Sequence, residues 1–222
     1  MSGAVVNAFM KALQQKADKI QEKSLFLESD FFPGANKCLS CRAQDIECNM
    51  IEQDGLHCTQ CRRDGVICKK SSLKIGAENL YDYSRIFIPV FTKEIFHWSL
   101  VLITPSERSI THYDSLPYTG PEKPDILTWG LREVVKWVKG LISPARWHSE
   151  GWTNSTYPVA KQPPHGNDCG VCTVINCRLL FSGKPLPQID SFTPELMAQM
   201  RAAFAKEVAE GKFSDEINLD VL

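Results

Sequence analysis

The sequence predicts an α+β fold, and three observations carry that expectation. Short runs of β-branched and aromatic residues follow one another closely between Ile86 and Asp114, helical periodicity lies on both sides of them, and no strict strand-helix alternation joins the two. Val5, Val6, Phe9, Met10, Leu13 and Ala17 recur at helical spacing, which predicts a helix from Val5 to about Gln21. "SLFLESDFF" reads as a short strand, and then Pro33 and Gly34 open a segment of different composition. "IFIPVF", "WSLVLI" and "SITHYD" are separated by turn residues such as "TPSER", so three adjacent antiparallel strands are expected. From Pro124 to Ile142 the residues Ile126, Leu127, Leu131, Val134, Val135, Val138 and Leu141 again repeat at helical spacing. "GWTNSTYPVA" reads as a further strand. After Cys169, Val171, Val174, Ile175 and Leu179 fall on one helical face, and Thr193 and Pro194 suit the cap and first turn of a last helix.

Composition narrows the class. Of the 222 residues 43% are hydrophobic and 23% charged, the balance of an ordinary soluble domain. A net charge of −1 names no partner by bulk electrostatics. No apolar run approaches membrane-spanning length, and the first twenty residues place Asn7 within the apolar run and their lysines after it, the wrong order for a signal peptide. Nine cysteines are present, six between Cys38 and Cys68 and three between Cys169 and Cys177. An odd number without a signal peptide points to reduced thiols with metal or catalytic roles.

One constellation can be argued from geometry. In an antiparallel hairpin, opposed residues share an index sum; His97 and Asp114 sum to 211, which centres the turn between Pro105 and Ser106. The two are then expected to be cross-strand neighbours with Cβ atoms roughly 4.5 to 5.5 Å apart, so a carboxylate can orient an imidazole base. Cys169 lies where "QPPHGND" gives way to a helix, and a thiol in a first helical turn meets unpaired N–H groups that favour thiolate. Cys, His and Asp together make a nucleophilic triad. The competing readings of Cys169 are an inert packed thiol and a redox pair with Cys172 in "CGVC". Cys172 and Cys177 read as small core residues.

"HWSLVLI", "HYDSL" and "GNDCGVC", in this order, resemble the His, Asp and Cys boxes of the SUMO-specific, ubiquitin-like-protein proteases. "VVNAFMKAL" and "SLFLESDFF" resemble that family's opening helix and strand, and "RAAFAKEVAEG" its closing helix. The resemblance implies a papain-like cysteine protease fold, with a central mixed sheet flanked by helices. It implies Cys169 as nucleophile, His97 as general base and Asp114 as its orienting residue, with Trp98 covering a channel that admits a Gly-Gly tail. The family's oxyanion Gln stands six residues before the nucleophile; that position is Pro163 here, and Gln162 one place earlier is expected to serve if the loop is expanded. The family's opening Trp segment has no counterpart in "MSGAVV", which implies a truncated start or a weaker substrate clamp. The resemblance also implies an intracellular, nuclear protein with SUMO or a related modifier and its conjugates as partners, and no membrane.

The six clustered cysteines read C-x2-C-x6-C twice, with nine residues between the halves. Thiolates so spaced suit tetrahedral zinc, and six can hold two ions if two of them bridge. The pattern resembles the fungal binuclear zinc cluster, so Cys38, Cys41, Cys48, Cys58, Cys61 and Cys68 are the expected ligands; a single zinc on four cysteines is the rival arrangement. DNA is a possible partner only through Arg42, Arg62, Arg63, Lys69 and Lys70, and acidic neighbours Asp45, Glu47, Glu52, Asp54 and Asp64 offset them. The organisation expected is an N-terminal protease part (1–34), a zinc-cluster insert (35–72), the protease core (73–212) and an acidic tail (213–222). The expected function is cleavage after a C-terminal Gly-Gly of SUMO or a related modifier through a Cys-His-Asp triad and a thioester. The alternative is a catalytically weak modifier-binding or zinc-dependent DNA-tethering module.

Overall fold

A computed structural model describes residues 2–27, 75, 79–116, 128–164, 166–187, 190 and 192–214. The expected zinc insert, with Cys38, Cys41, Cys48, Cys58, Cys61 and Cys68, lies outside the described residues, as do 117–127 and 215–222. Five strands form one mixed sheet in sequence order: β1 (Ser24–Phe26), β2 (Arg85–Thr92), β3 (His97–Thr104), β4 (Ser109–Tyr113) and β5 (Thr153–Tyr157). β2, β3 and β4 are the expected antiparallel trio, while β1 and β5 join its two edges in parallel.

Side-chain alternation gives the sheet two buried faces. Phe26, Phe87, Leu100 and Leu102 pack against helices α1 (Gly3–Lys19), α4 (Cys169–Phe181) and α5 (Pro194–Glu210). Ile86, Ile88, Val90, Val101, Ile103 and Ile110 pack against α2 (Trp129–Ile142) and the short α3 (Pro144–Ser149). Each of these fully buried aliphatic side chains contributes about 1.5–3 kcal/mol of transfer free energy. Among the described residues, no helix is long and apolar enough to cross a membrane.

Two local expectations need correction. α4 does not present one apolar face: Asn176 and Arg178 are buried along with its aliphatic residues. This is possible because the Arg178 guanidinium bonds the Glu207 carboxylate of α5 at 3.0 Å and lies over the rings of Phe9 and Phe204, so its charge is compensated. The β3–β4 register also differs from the expected one. Leu100 opposes Tyr113, an index sum of 213 rather than 211, so Asp114 comes opposite Ser99. The turn explains the shift: a 3-10 turn over Pro105–Glu107 is followed by Arg108 in the left-handed region (φ 53), making a four-residue loop between Thr104 and Ser109. A shift of two positions keeps every side chain on its face, so His97 and Asp114 remain neighbours, but diagonally.

The last helix starts as expected, with Thr193 Oγ1 accepting the Leu196 N–H at 3.2 Å and Pro194 in the first turn. Phe213 sets its ring edge-on against Phe9 (5.1 Å between centroids), which anchors the chain beyond α5 to α1.

Candidate active site

The catalytic candidates converge from two directions. The start of β3 supplies His97, and the residue after β4 supplies Asp114, with His97 Nε2 at 2.6 Å from Asp114 Oδ1 in a buried pair. The same oxygen accepts the Leu116 N–H at 2.8 Å, an Asx-type turn that fixes the carboxylate where the strand ends. The approach to α4 is tied to this segment, because the Gln162 N–H donates to Ser115 O (2.8 Å) and Lys161 Nζ to Asp114 O (2.9 Å). Gly166 is required in that approach: a Cβ there would lie 2.8 Å from Asp168 Oδ2 and 3.1 Å from Pro163 O. Cys169 is thereby delivered as the first residue of α4, where it is electrostatically coupled to His97.

Electrostatics arm the thiol. Burial alone would raise the Cys169 pKa, but the His97 hydrogen bond and the backbone N–H groups of Trp98 and Gly170 outweigh it and hold it below the ordinary value. Burial also disfavours a charged His97, yet the hydrogen bonds to Asp114 and Cys169 raise its pKa to about 9. For Asp114, burial is overcome by the His97 hydrogen bond and charge and by the Leu116 N–H, so its pKa is lowered. Together these favour a thiolate–imidazolium pair. A kinetic consequence is expected: iodoacetamide alkylation of Cys169 stays fast to lower pH than that of an ordinary thiol and slows as pH falls through the lowered thiol pKa. Any reaction step that needs His97 protonated is expected to decline above about pH 9. An alkylation rate that instead climbs through an ordinary thiol value of about 8.5 would show that the pair does not form.

The model of the Ulp1 protease family, C-terminal catalytic domain, matches residues 1–214. The chain belongs to this family. Sentrin-specific protease 5 of Homo sapiens is 26% identical over 142 residues, which is 62% of this chain and 17% of that protein. The protein of the same name from Macaca fascicularis gives the same figures. The chain therefore spans about a sixth of the length of these curated relatives. Among solved structures, the C-terminal Ulp1 protease domain in complex with Smt3, the yeast ortholog of SUMO, matches with a TM-score of 0.58 at 17% identity, covering 95% of this chain and 76% of that one. The SUMO protease Ulp1 with its catalytic cysteine oxidised to a sulfinic acid matches with the same TM-score at 19% identity, covering 95% and 78%. At these identities the structural matches establish the fold.

Within this Ulp1-family fold the remaining candidates take definite positions. Trp98, directly after His97, is buried and packs its ring on Phe91, 4.8 Å between centroids. Gln162 is buried in the approach to Cys169; its Nε2 donates to Gly166 O at 2.8 Å, and its Oε1 meets no donor among the described residues. One Nε2 hydrogen is thus committed to the loop. His112 is also buried, but neither ring nitrogen has a partner among the described residues, and burial lowers its pKa, so it does not rival His97 as the candidate base. The redox reading of "CGVC" is not supported: the Cys172 thiol points to Met197 Sδ (3.8 Å), and burial pushes its pKa up to about 12. Cys177 points to Met10 Sδ (3.9 Å), and its pKa is likewise raised by burial. Both are the core residues expected of them.

Two contributors escaped the sequence reading. The Leu116 N–H that holds Asp114 had a legible signal, since Asp-Ser after a strand is an Asx-turn former. Arg201 had none. It lies on α5 and pairs with the buried Asp168 carboxylate next to Cys169, a contact that only tertiary packing creates.

Proposed function

We propose that the chain is a cysteine protease that cleaves after the C-terminal Gly-Gly of SUMO or a closely related modifier. The reading is supported by the buried His97–Asp114 pair, electrostatically coupled to Cys169 at the first turn of α4, in a member of the Ulp1 protease family. The Cys169 thiolate attacks the glycine carbonyl carbon and forms a C–S bond; the scissile C–N bond breaks as His97 gives its proton to the leaving amine. Water, deprotonated by His97, then opens the thioester and returns the thiolate. Trp98, next to His97 on β3, is read as the cover of a slot that admits only glycines, a steric source of specificity. Gln162 Nε2 retains one hydrogen with which to meet the developing oxyanion. The modifier is read from the relatives, whose names specify sentrin and SUMO.

The test is intact-mass analysis after mixing the protein with SUMO and with ubiquitin, each bearing an electrophilic C-terminus. An adduct with SUMO, absent for Cys169→Ala, is the expected result. An adduct with ubiquitin alone would overturn the choice of modifier, and no adduct with either would overturn the protease reading in favour of a modifier-binding module.

The cysteine-rich segment belongs to the same proposal as a zinc module held by Cys38, Cys41, Cys48, Cys58, Cys61 and Cys68, supported by its repeated spacing and all-sulfur donor set. The metal would staple the segment and takes no part in the cysteine chemistry. Elemental analysis of the purified chain is expected to find about two zinc ions. A single ion would favour a site of four cysteines, and none would remove the zinc reading.

A further inference from the structure

The residue before Cys169 does not behave as an ordinary helix cap. Asp168 is the N-cap of α4, and an aspartate there normally turns its carboxylate back to accept the N–H of the second or third helical residue, here Gly170 or Val171. Asp168 makes no such bond. Only its backbone carbonyl serves the helix, accepting the Cys172 N–H at 2.9 Å. The carboxylate is directed instead to α5, where Oδ1 accepts from the Arg201 guanidinium. Oδ2 lies on the Gly166 side, in space that is open because residue 166 has no side chain: a Cβ there would be 2.8 Å from it. The pair is unequal in burial, the Asp168 side chain being 4% exposed and that of Arg201 51%. A carboxylate so withdrawn from water requires a compensating cation, and Arg201 supplies it. α5 is fixed independently of this contact, by Met197 Sδ against the Cys172 thiol (3.8 Å), Phe204 against Phe9 (4.8 Å between centroids) and Glu207 with Arg178 (3.0 Å). Arg201 stands four residues after Met197 and three before Phe204, on the docked side of the helix.

Turning the carboxylate away has a consequence for the sulfur. The Gly170 N–H, a donor that a capping aspartate would take, is among the groups that favour the Cys169 thiolate. A capping carboxylate would occupy that donor and bring a second negative charge to the sulfur. The other described titratable groups about the thiol, His97 with Asp114 from the sheet and Cys172 on α4, are common to both arrangements. We propose that Arg201 is a positioning residue of the protease: by holding the Asp168 carboxylate toward α5, it keeps the N-terminus of α4 open for the Cys169 sulfur. The inference rests on the reading of Cys169 as the nucleophile, and Arg201 acts on that residue only through Asp168.

The test follows iodoacetamide alkylation of Cys169 against pH in the full chain, with the labelled residue identified by peptide mass analysis. Arg201→Gln frees the carboxylate to cap, so the midpoint of the alkylation profile is expected to rise by about one pH unit, with alkylation about tenfold slower below it. Arg201→Lys keeps the cation and should restore the low midpoint. Asp168→Ala and the double variant Arg201→Gln/Asp168→Ala should also keep it low, since neither has a carboxylate to move. A pair that merely braces α4 against α5 gives a different pattern: Arg201→Gln and Asp168→Ala then raise the midpoint alike, and the double variant restores nothing. That pattern, or an unmoved midpoint in Arg201→Gln, would overturn the inference. If Arg201→Gln does not fold, as judged by circular dichroism, Asp168→Ala decides, a low midpoint supporting the inference and a raised one overturning it. An unmodified chain with its midpoint at an ordinary thiol value of about 8.5 would overturn the thiolate–imidazolium pair and this inference together. A low midpoint indifferent to Arg201 would remove this inference alone and leave the protease reading standing.

Discussion

Cys169→Ala is expected to reduce cleavage of a SUMO–Gly-Gly fusion by about 10⁴- to 10⁶-fold, the scale seen when a nucleophile that acts as part of a unit is removed. Stability should change little. Deleting one sulfur at the first turn of α4 leaves the Asp168 backbone acceptor and the rest of the helix in place, with Cys172 N still bonded to Asp168 O at 2.9 Å. The other described thiols cannot substitute, because Cys172 and Cys177 are buried against methionine sulfurs and both pKa values are raised. Affinity for the modifier should survive, so titration of the variant with SUMO checks that the site is intact. Residual turnover within about tenfold of the unmodified enzyme would mean that another group performs the attack.

The second large effect is expected at Asp114. Asp114→Ala removes the acceptor of the His97 Nε2 proton and the charge that stabilises the imidazolium. A fall in kcat/KM of about 10²- to 10⁴-fold follows from losing an oriented base. The pH profile distinguishes this from general damage. Burial then acts on His97 without its main compensation, so the alkaline limb should move down from about 9, and alkylation of Cys169 at neutral pH should slow. Asp114→Asn, which keeps an acceptor but not the charge, should fall between. A uniform loss of activity with an unmoved alkaline limb would show that Asp114 supports the fold rather than the base.

How much of this was legible depended on how local the determining forces are. The β2–β3–β4 trio could be read because period-two burial and turn chemistry are local. The sum of 211 was two too low because the loop ending in left-handed Arg108 takes a form that "TPSER" does not announce, yet face parity survived and the His97–Asp114 contact with it. α3 was missed because its six residues are too few for periodicity to show. The all-round burial of α4 was missed because Arg178 looks like an exposed residue until Glu207, far along the chain, arrives to pair with it. The parallel edges were equally out of reach, since each depends on a partner strand distant in sequence.

The parallel pairing of β1 with β2 also bears on the order of folding. Ser24 meets Arg85 across a long stretch of chain, and Cys169 meets His97 across a longer one, whereas His97 and Asp114 share a single hairpin. Contacts between distant residues form late, because their loop-closure entropy must be overcome first. The base and its carboxylate can therefore come together early, while the thiol stays an ordinary one until α4 docks under the sheet. A nascent or half-unfolded chain would be latent, and the reactivity proposed for Cys169 would appear only on completion of the fold.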